Sequence, residues 1–92
     1  MNVNFNWDKS KNKISVKGRG ICFEDVVNAI YEGKILDNIK HPNSIKYPNQ
    51  FMYVIRMIGY VYVVSYIKKD NEIFLKTIIP SRKMHKLYED KL

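Results

Sequence analysis

The residues of this chain best suited to chemistry are Ser81-Arg82-Lys83. They follow Pro80, which ends the apolar run Glu72 to Ile79, and they open a helix-like run with Met84, Leu87 and Tyr88 as its stripe. Ser81 suits an N-cap, because its hydroxyl can accept from a free backbone N–H of the first turn. Arg82 and Lys83 then stand at the positive end of the helix dipole, where each cation is disfavoured by roughly 0.3–1 kcal/mol. Residues that break a local folding rule point to a role outside folding. Free N–H groups with two added cations suit an anion such as a phosphate. The plain alternative is a pair of solvated surface cations.

One chemistry open to such residues is metal-free cleavage of RNA. It needs a group to remove the 2′-OH proton, a cation to meet the charge growing on phosphorus, and a donor for the leaving 5′ oxygen. Arg is shaped for the second task through bidentate contact with phosphate. His or Lys can move protons, and Tyr can stack on bases or donate. The chain has seven Tyr among 16 Lys plus Arg. His41, in the loop His41-Pro-Asn-Ser-Ile-Lys-Tyr-Pro-Asn-Gln50, is a candidate acid or base, and Tyr47 beside it a candidate RNA contact. Tyr60, Tyr62 and Tyr66 share one face of a strand, opposite Val61, Val63 and Ile67. Tyr62 is the candidate proton-handling residue there and Tyr66 the candidate stacking residue, with packing in the core or at its rim as the alternative. Lys76 faces opposite to Leu75 and Thr77, either reaching to water at an edge or belonging to a site. Lys83, and Arg19 held between Gly18 and Gly20, complete the candidate RNA contacts. His85 reads as an ordinary helix residue and Cys22 as a cap or packing residue.

Several chemistries find no support. One Cys and two His, without CxxC, HxxxH or HExxH spacing, predict neither a metal site nor a cofactor. Gly18-Arg-Gly20 is too short for a phosphate loop, and nothing reads as a nucleophile elbow.

The elements that must position these residues follow from periodicity. Val3, Phe5 and Trp7 alternate with Asn2, Asn4 and Asn6, which predicts a short first strand. Lys9 to Lys17 reads as a helix capped by Asp8 or, from the alternation of Ile14 and Val16, as a strand. Phe23, Val26, Val27, Ile30 and Tyr31 form one continuous helical face over Phe23 to Glu32, with Glu24 and Asp25 in the first turn and Gly33 as the stop. Ile35 to Ile39 reads as an edge strand, and 41–50 as a loop long enough to suggest function. Phe51 to Ile58, Tyr60 to Ile67 and Ile73 to Ile79 then form an antiparallel meander with tight turns. Ser81 to about Asp90 is the last helix.

Ninety-two residues, 46% hydrophobic and 27% charged, predict one globular domain over 1–92. The net charge of +7 favours an anionic partner, nucleic acid or an acidic protein segment. No helix pairs a basic face with a broad apolar one, so a membrane surface is not an expected partner. A lone cysteine fits a reducing compartment, and Met1 to Trp7 does not read as a secretory signal, so a cytoplasmic location is expected.

Phe5-Asn-Trp-Asp8 with Lys11-Asn12, then Arg19-Gly-Ile-Cys-Phe-Glu-Asp25, then Ile78-Ile-Pro-Ser-Arg-Lys83 occur in an order that resembles the BrnT-like toxins of type II toxin–antitoxin systems. The resemblance spans nearly the whole chain. It implies an α+β, RelE-like fold, with N-terminal helices packed on an antiparallel sheet and a C-terminal helix. It implies a metal-independent endoribonuclease that cuts mRNA, on or off the ribosome, and a cognate antitoxin that is a DNA-binding dimer. Arg82 is the residue that carries over onto the scissile phosphate, with Lys83 and Lys76 in support and His41 or Tyr62 handling protons. The chain departs from the family in having Arg19-Gly20 where His-Gly is common, and Pro80-Ser81 where Ser-Ala is common. A non-catalytic module that docks an acidic antitoxin segment, or holds RNA without cutting it, is the second reading.

Overall fold

Three strands joined by two-residue turns form the centre of the sheet. The computed structural model of the protein describes residues 4–8, 21–43 and 45–89. β1 (Asn4–Trp7), α1 (Phe23–Tyr31), β2 (Ile35–Lys40), β3 (Gln50–Met57), β4 (Tyr60–Lys69), β5 (Glu72–Pro80) and α2 (Arg82–Tyr88) follow in order, an α+β arrangement. The sheet runs β1-β5-β4-β3-β2. Ile58 and Gly59, at φ 50° and 71°, turn β3 into β4, and the left-handed pair matches the twist of a hairpin. Ile58 is β-branched and strained in that region, and its side chain is exposed.

The meander and the edge strand β2 pair antiparallel as the alternation predicts. β1 corrects the antiparallel expectation: it lies parallel to β5, Phe5 opposite Ile73 and Trp7 opposite Leu75, so the sheet is mixed. Its place is fixed by its inward side chains. Trp7 stacks on Phe23 at 6.0 Å, and Phe5 meets the Tyr31 ring edge-on at 6.0 Å. Both contacts belong to α1, whose Phe23, Val26 and Ala29 are buried on the sheet. The α1 start is closed by Asp25, whose Oδ2 accepts from the Cys22 N–H at 2.9 Å and from its Sγ at 3.4 Å. Burial, with the Asp25 and Glu24 carboxylates beside it, pushes the Cys22 thiol up. Gly33, at φ 75°, ends the helix. The segment read as either helix or strand over 9–17, and Arg19, lie outside the described residues.

The face of the sheet under α1 is the main core, and it is the face that carries the tyrosines. Tyr62 is 1% exposed and Tyr66 2%, among Ile55, Val64, Leu75 and Phe23. Their candidacy as proton donor and base-stacking residue is therefore corrected: α1 needs an apolar floor, and the aromatic bodies of these side chains supply it. Tyr66 stacks on Tyr53 at 4.2 Å and donates its hydroxyl to Asn38 Oδ1 at 2.6 Å. A β-bulge makes a second correction. Thr77 pairs with Ser65 but Leu75 with Tyr66, so Lys76 is the extra residue, and it shares the exposed side with Thr77 rather than opposing it. The bulge also returns Ile78 to the core.

The second face is partly covered by α2, which packs on β4. Tyr88 donates to Asp37 Oδ2 at 3.1 Å, and Asp37 stands opposite Val54, on the side away from Tyr53. Val54 and Val61 are fully buried on that side. Of the predicted stripe on α2, Met84 and Tyr88 are half-buried, whereas Leu87 is exposed. Among the described residues, no helix is long and apolar enough to cross a membrane.

The buried phenols set a pH limit on stability. Burial raises the Tyr66 phenol above its ordinary value, and burial beside Tyr66 raises Tyr53 further. Both stay protonated in the folded chain where the unfolded chain ionises, so the unfolded state binds fewer protons there. Their stabilisation is full below about pH 10 and is lost as pH rises through the folded values. Urea unfolding followed between about pH 8 and 11 should decline from near 10, less steeply in Tyr66→Phe. A flat profile across that window would contradict the burial of these groups.

Candidate nucleic-acid interface

The sheet has two ends, and they divide the residues singled out in the sequence. At one end β5 runs out at Pro80, opposite Tyr62, and the chain turns into α2. The Ser81 N–H donates to Val61 O at 3.1 Å, which ties the start of α2 to β4. Ser81 is the N-cap expected of it, its Oγ accepting from the Met84 N–H at 3.2 Å. The His85 N–H bonds Ser81 O at 2.9 Å. Arg82 and Lys83 are exposed in the first turn, with no acidic partner among the described residues.

This cap also fixes His85, which sequence reasoning passed over. The imidazole stacks on Tyr60 at 4.3 Å and 17°, and Tyr60 leans edge-on against buried Tyr62 at 5.9 Å. Nδ1 of His85 is buried without a hydrogen-bond partner among the described residues, which leaves Nε2 as the nitrogen on the solvent side. A buried polar atom left unpaired is uncommon and destabilising, and such atoms concentrate where a side chain is held for a task. Arg82 precedes His85 by three residues, which places both on one side of α2, with Cβ atoms roughly 5–6 Å apart. Arg56 joins from across the sheet: Arg56 and Ser81 flank Val61 on its two sides, so their backbones lie about 10 Å apart. Arg56 is exposed and, like Arg82, has no acidic partner among the described residues. The signals for these residues were present as the i, i+3 spacing of Arg82 and His85 and as a lone Arg in an apolar strand.

At the opposite end lies the β2–β3 loop. The His41 and Tyr47 rings meet at 4.6 Å, tilted by 49°, and His41 Nδ1 accepts from the Asn43 N–H at 3.0 Å. Lys46 Nζ stands 5.4 Å from the Tyr47 ring centroid. The structure thus brings two candidates together, but far from Arg82. The His41 N–H bonds Gln50 O, Gln50 pairs with Ile67, and Tyr62 pairs with Pro80. Five residues of β4 separate those levels, about 17 Å at ~3.3 Å per residue. A general base must reach within hydrogen-bonding distance of its proton, so His41 and Arg82 do not serve one phosphate. Lys76 lies between the two ends on the exposed side of β5, in neither cluster.

The Arg82 end therefore offers a guanidinium, a stacked imidazole with one nitrogen toward solvent, and a second Arg at the rim. No family model matches the chain, and neither a curated protein nor a solved structure matches it.

Proposed function

We propose that the protein is an endoribonuclease that cuts RNA by metal-independent transphosphorylation at the Arg82–His85 end of the sheet. The reading extends to the finer expectations of the resemblance: a RelE-like toxin of a type II toxin–antitoxin pair, acting on mRNA in the cytoplasm and held in check by an antitoxin. The observation that carries it is the stacked pair Tyr60–His85, one helical turn from an exposed Arg82 that has no acidic partner among the described residues. In this reading Arg82 takes two non-bridging phosphate oxygens, where negative charge grows as the 2′ oxygen attacks phosphorus. His85 Nε2 takes the 2′-OH proton, and Tyr60 positions the ring by stacking. The P–O5′ bond breaks, water gives the leaving 5′ oxygen its proton, and the products are a 2′,3′-cyclic phosphate and a 5′-OH. Arg56 and Lys83 hold flanking phosphates.

The test is purified protein with a mixed-sequence single-stranded RNA in the presence of a chelator. Turnover with cyclic-phosphate ends, abolished by a 2′-deoxy substitution at the cut position, is the expected result. Binding without new ends would replace the enzyme by the non-catalytic module. Cleavage that needs a divalent cation would replace the mechanism.

A further inference from the structure

The open part of the second sheet face lies along β5, beyond the reach of α2. Phe74 stands there with 39% of its surface exposed, in one row with Ile67 of β4 and Asn6 of β1. One row toward the start of β5, Lys69 is paired with Glu72, and on the other side the bulge presents Lys76 and Thr77 together. Phe74 is thus a solvent-facing ring with Lys69 and Glu72, opposite each other, in the row before it and Lys76 after it. Lys69 and Lys76 have no acidic partner within ion-pair distance among the described residues, Glu72 included. Ile79, exposed on the same face of β5, stands three residues before Arg82 in the chain.

Resting on the RNA reading above, we infer that Phe74, Lys76 and Lys69 form a strand-tracking subsite for single-stranded RNA on the way to the Arg82 end. One base stacks on the Phe74 ring, and the phosphates on its two sides meet Lys69 and Lys76. Every base has a π-face, so the contact is tolerant of sequence and gives the enzyme reach rather than a codon. The occupant is a single strand because a base locked in a duplex cannot lay its face on a ring that stands on a sheet. The net charge of +7, with Lys69 and Lys76 near the ring, favours a polyanion over an apolar protein segment, and the bulge gives that stretch two adjacent outward side chains where a regular strand gives one.

The experiment is fluorescence anisotropy with a labelled 12-nucleotide single-stranded RNA whose scissile 2′-OH groups are replaced, titrated at several salt concentrations. Phe74 lies outside the main core, so Phe74→Ala should still fold, with a lowered melting temperature, and its affinity should fall at least fivefold. Phe74→Trp should restore or exceed parental affinity, which loss of folding would not allow. Lys76→Ala should weaken binding uniformly across sequences and reduce the slope of log K against log salt by about one. Parental affinity in Phe74→Ala, with RNA still cut, overturns the subsite and leaves the ribonuclease standing. Absence of RNA binding and cleavage in the parent chain overturns both. If Phe74→Ala instead dissolves a self-associated state without changing RNA affinity, the face belongs to a protein contact and the subsite is overturned.

Discussion

Arg82→Ala should lower the rate of RNA cleavage by about 10²–10³-fold, the usual loss when one preorganised donor to a developing oxyanion is removed. Its thermal unfolding should stay within about 0.5 kcal/mol of the parent, because Arg82 is exposed and has no acidic partner among the described residues. Any small shift should be toward stability, since a cation leaves the positive end of α2. Arg82→Lys keeps the charge but loses the two-pronged contact, and should fall between the two. The check is a single-turnover rate on one RNA substrate beside a melting curve. In cells, growth arrest on induction should vanish in the mutant together with new RNA 5′ ends. A fully active, folded Arg82→Ala would move the phosphate site elsewhere, with Arg56 the next residue to test.

Tyr62 gives the second large effect, and it separates folding from chemistry. Tyr62→Ala should destabilise the chain by about 3–5 kcal/mol, as truncation of a buried aromatic does. For a domain whose whole stability is of order 5–14 kcal/mol, that loss alone would lower activity in a cell. Tyr62→Phe keeps the ring that Tyr60 leans against, and should stay within about 1.5 kcal/mol of the parent with cleavage unchanged. Denaturant midpoints and cleavage rates on the two variants decide the matter. A Tyr62→Phe that folds but does not cut would return this hydroxyl to the site and displace His85.

Much of this architecture could be read from residue order. The alternation in β3 and β4, the five apolar positions of α1, the stop at Gly33 and the cap at Ser81 are local signals, and local signals set local structure. Facing was harder. A strand buried on two sides alternates without saying which of its rows a helix will choose, so Tyr62 and Tyr66 looked as available as Val61 and Val63. The bulge at Lys76 and the parallel pairing of β1 arise from partners distant in sequence, and neither leaves a local mark. The site divided in the same way. Ser81, Arg82 and Lys83 are contiguous and were legible. His41 and Arg82 seemed compatible because sequence contains no distance, and His85 was passed over because only Tyr60, from another element, gives it a setting.

The parallel pairing also orders events in time. Among the described strands β1 leaves the ribosome first, yet its partner β5 is the last of them to be made. Until Ile73 and Leu75 emerge, Phe5 and Trp7 have no strand beside them, and α1 lacks part of its floor. The hairpins β3–β4 and β4–β5 need only short loop closures, so they can form while the amino-terminal strand waits. The closing step of folding joins β1 to β5, segments far apart in sequence, and it delivers β5 and the α2 start together. A chain interrupted during synthesis before β5 thus carries neither a finished sheet nor Arg82.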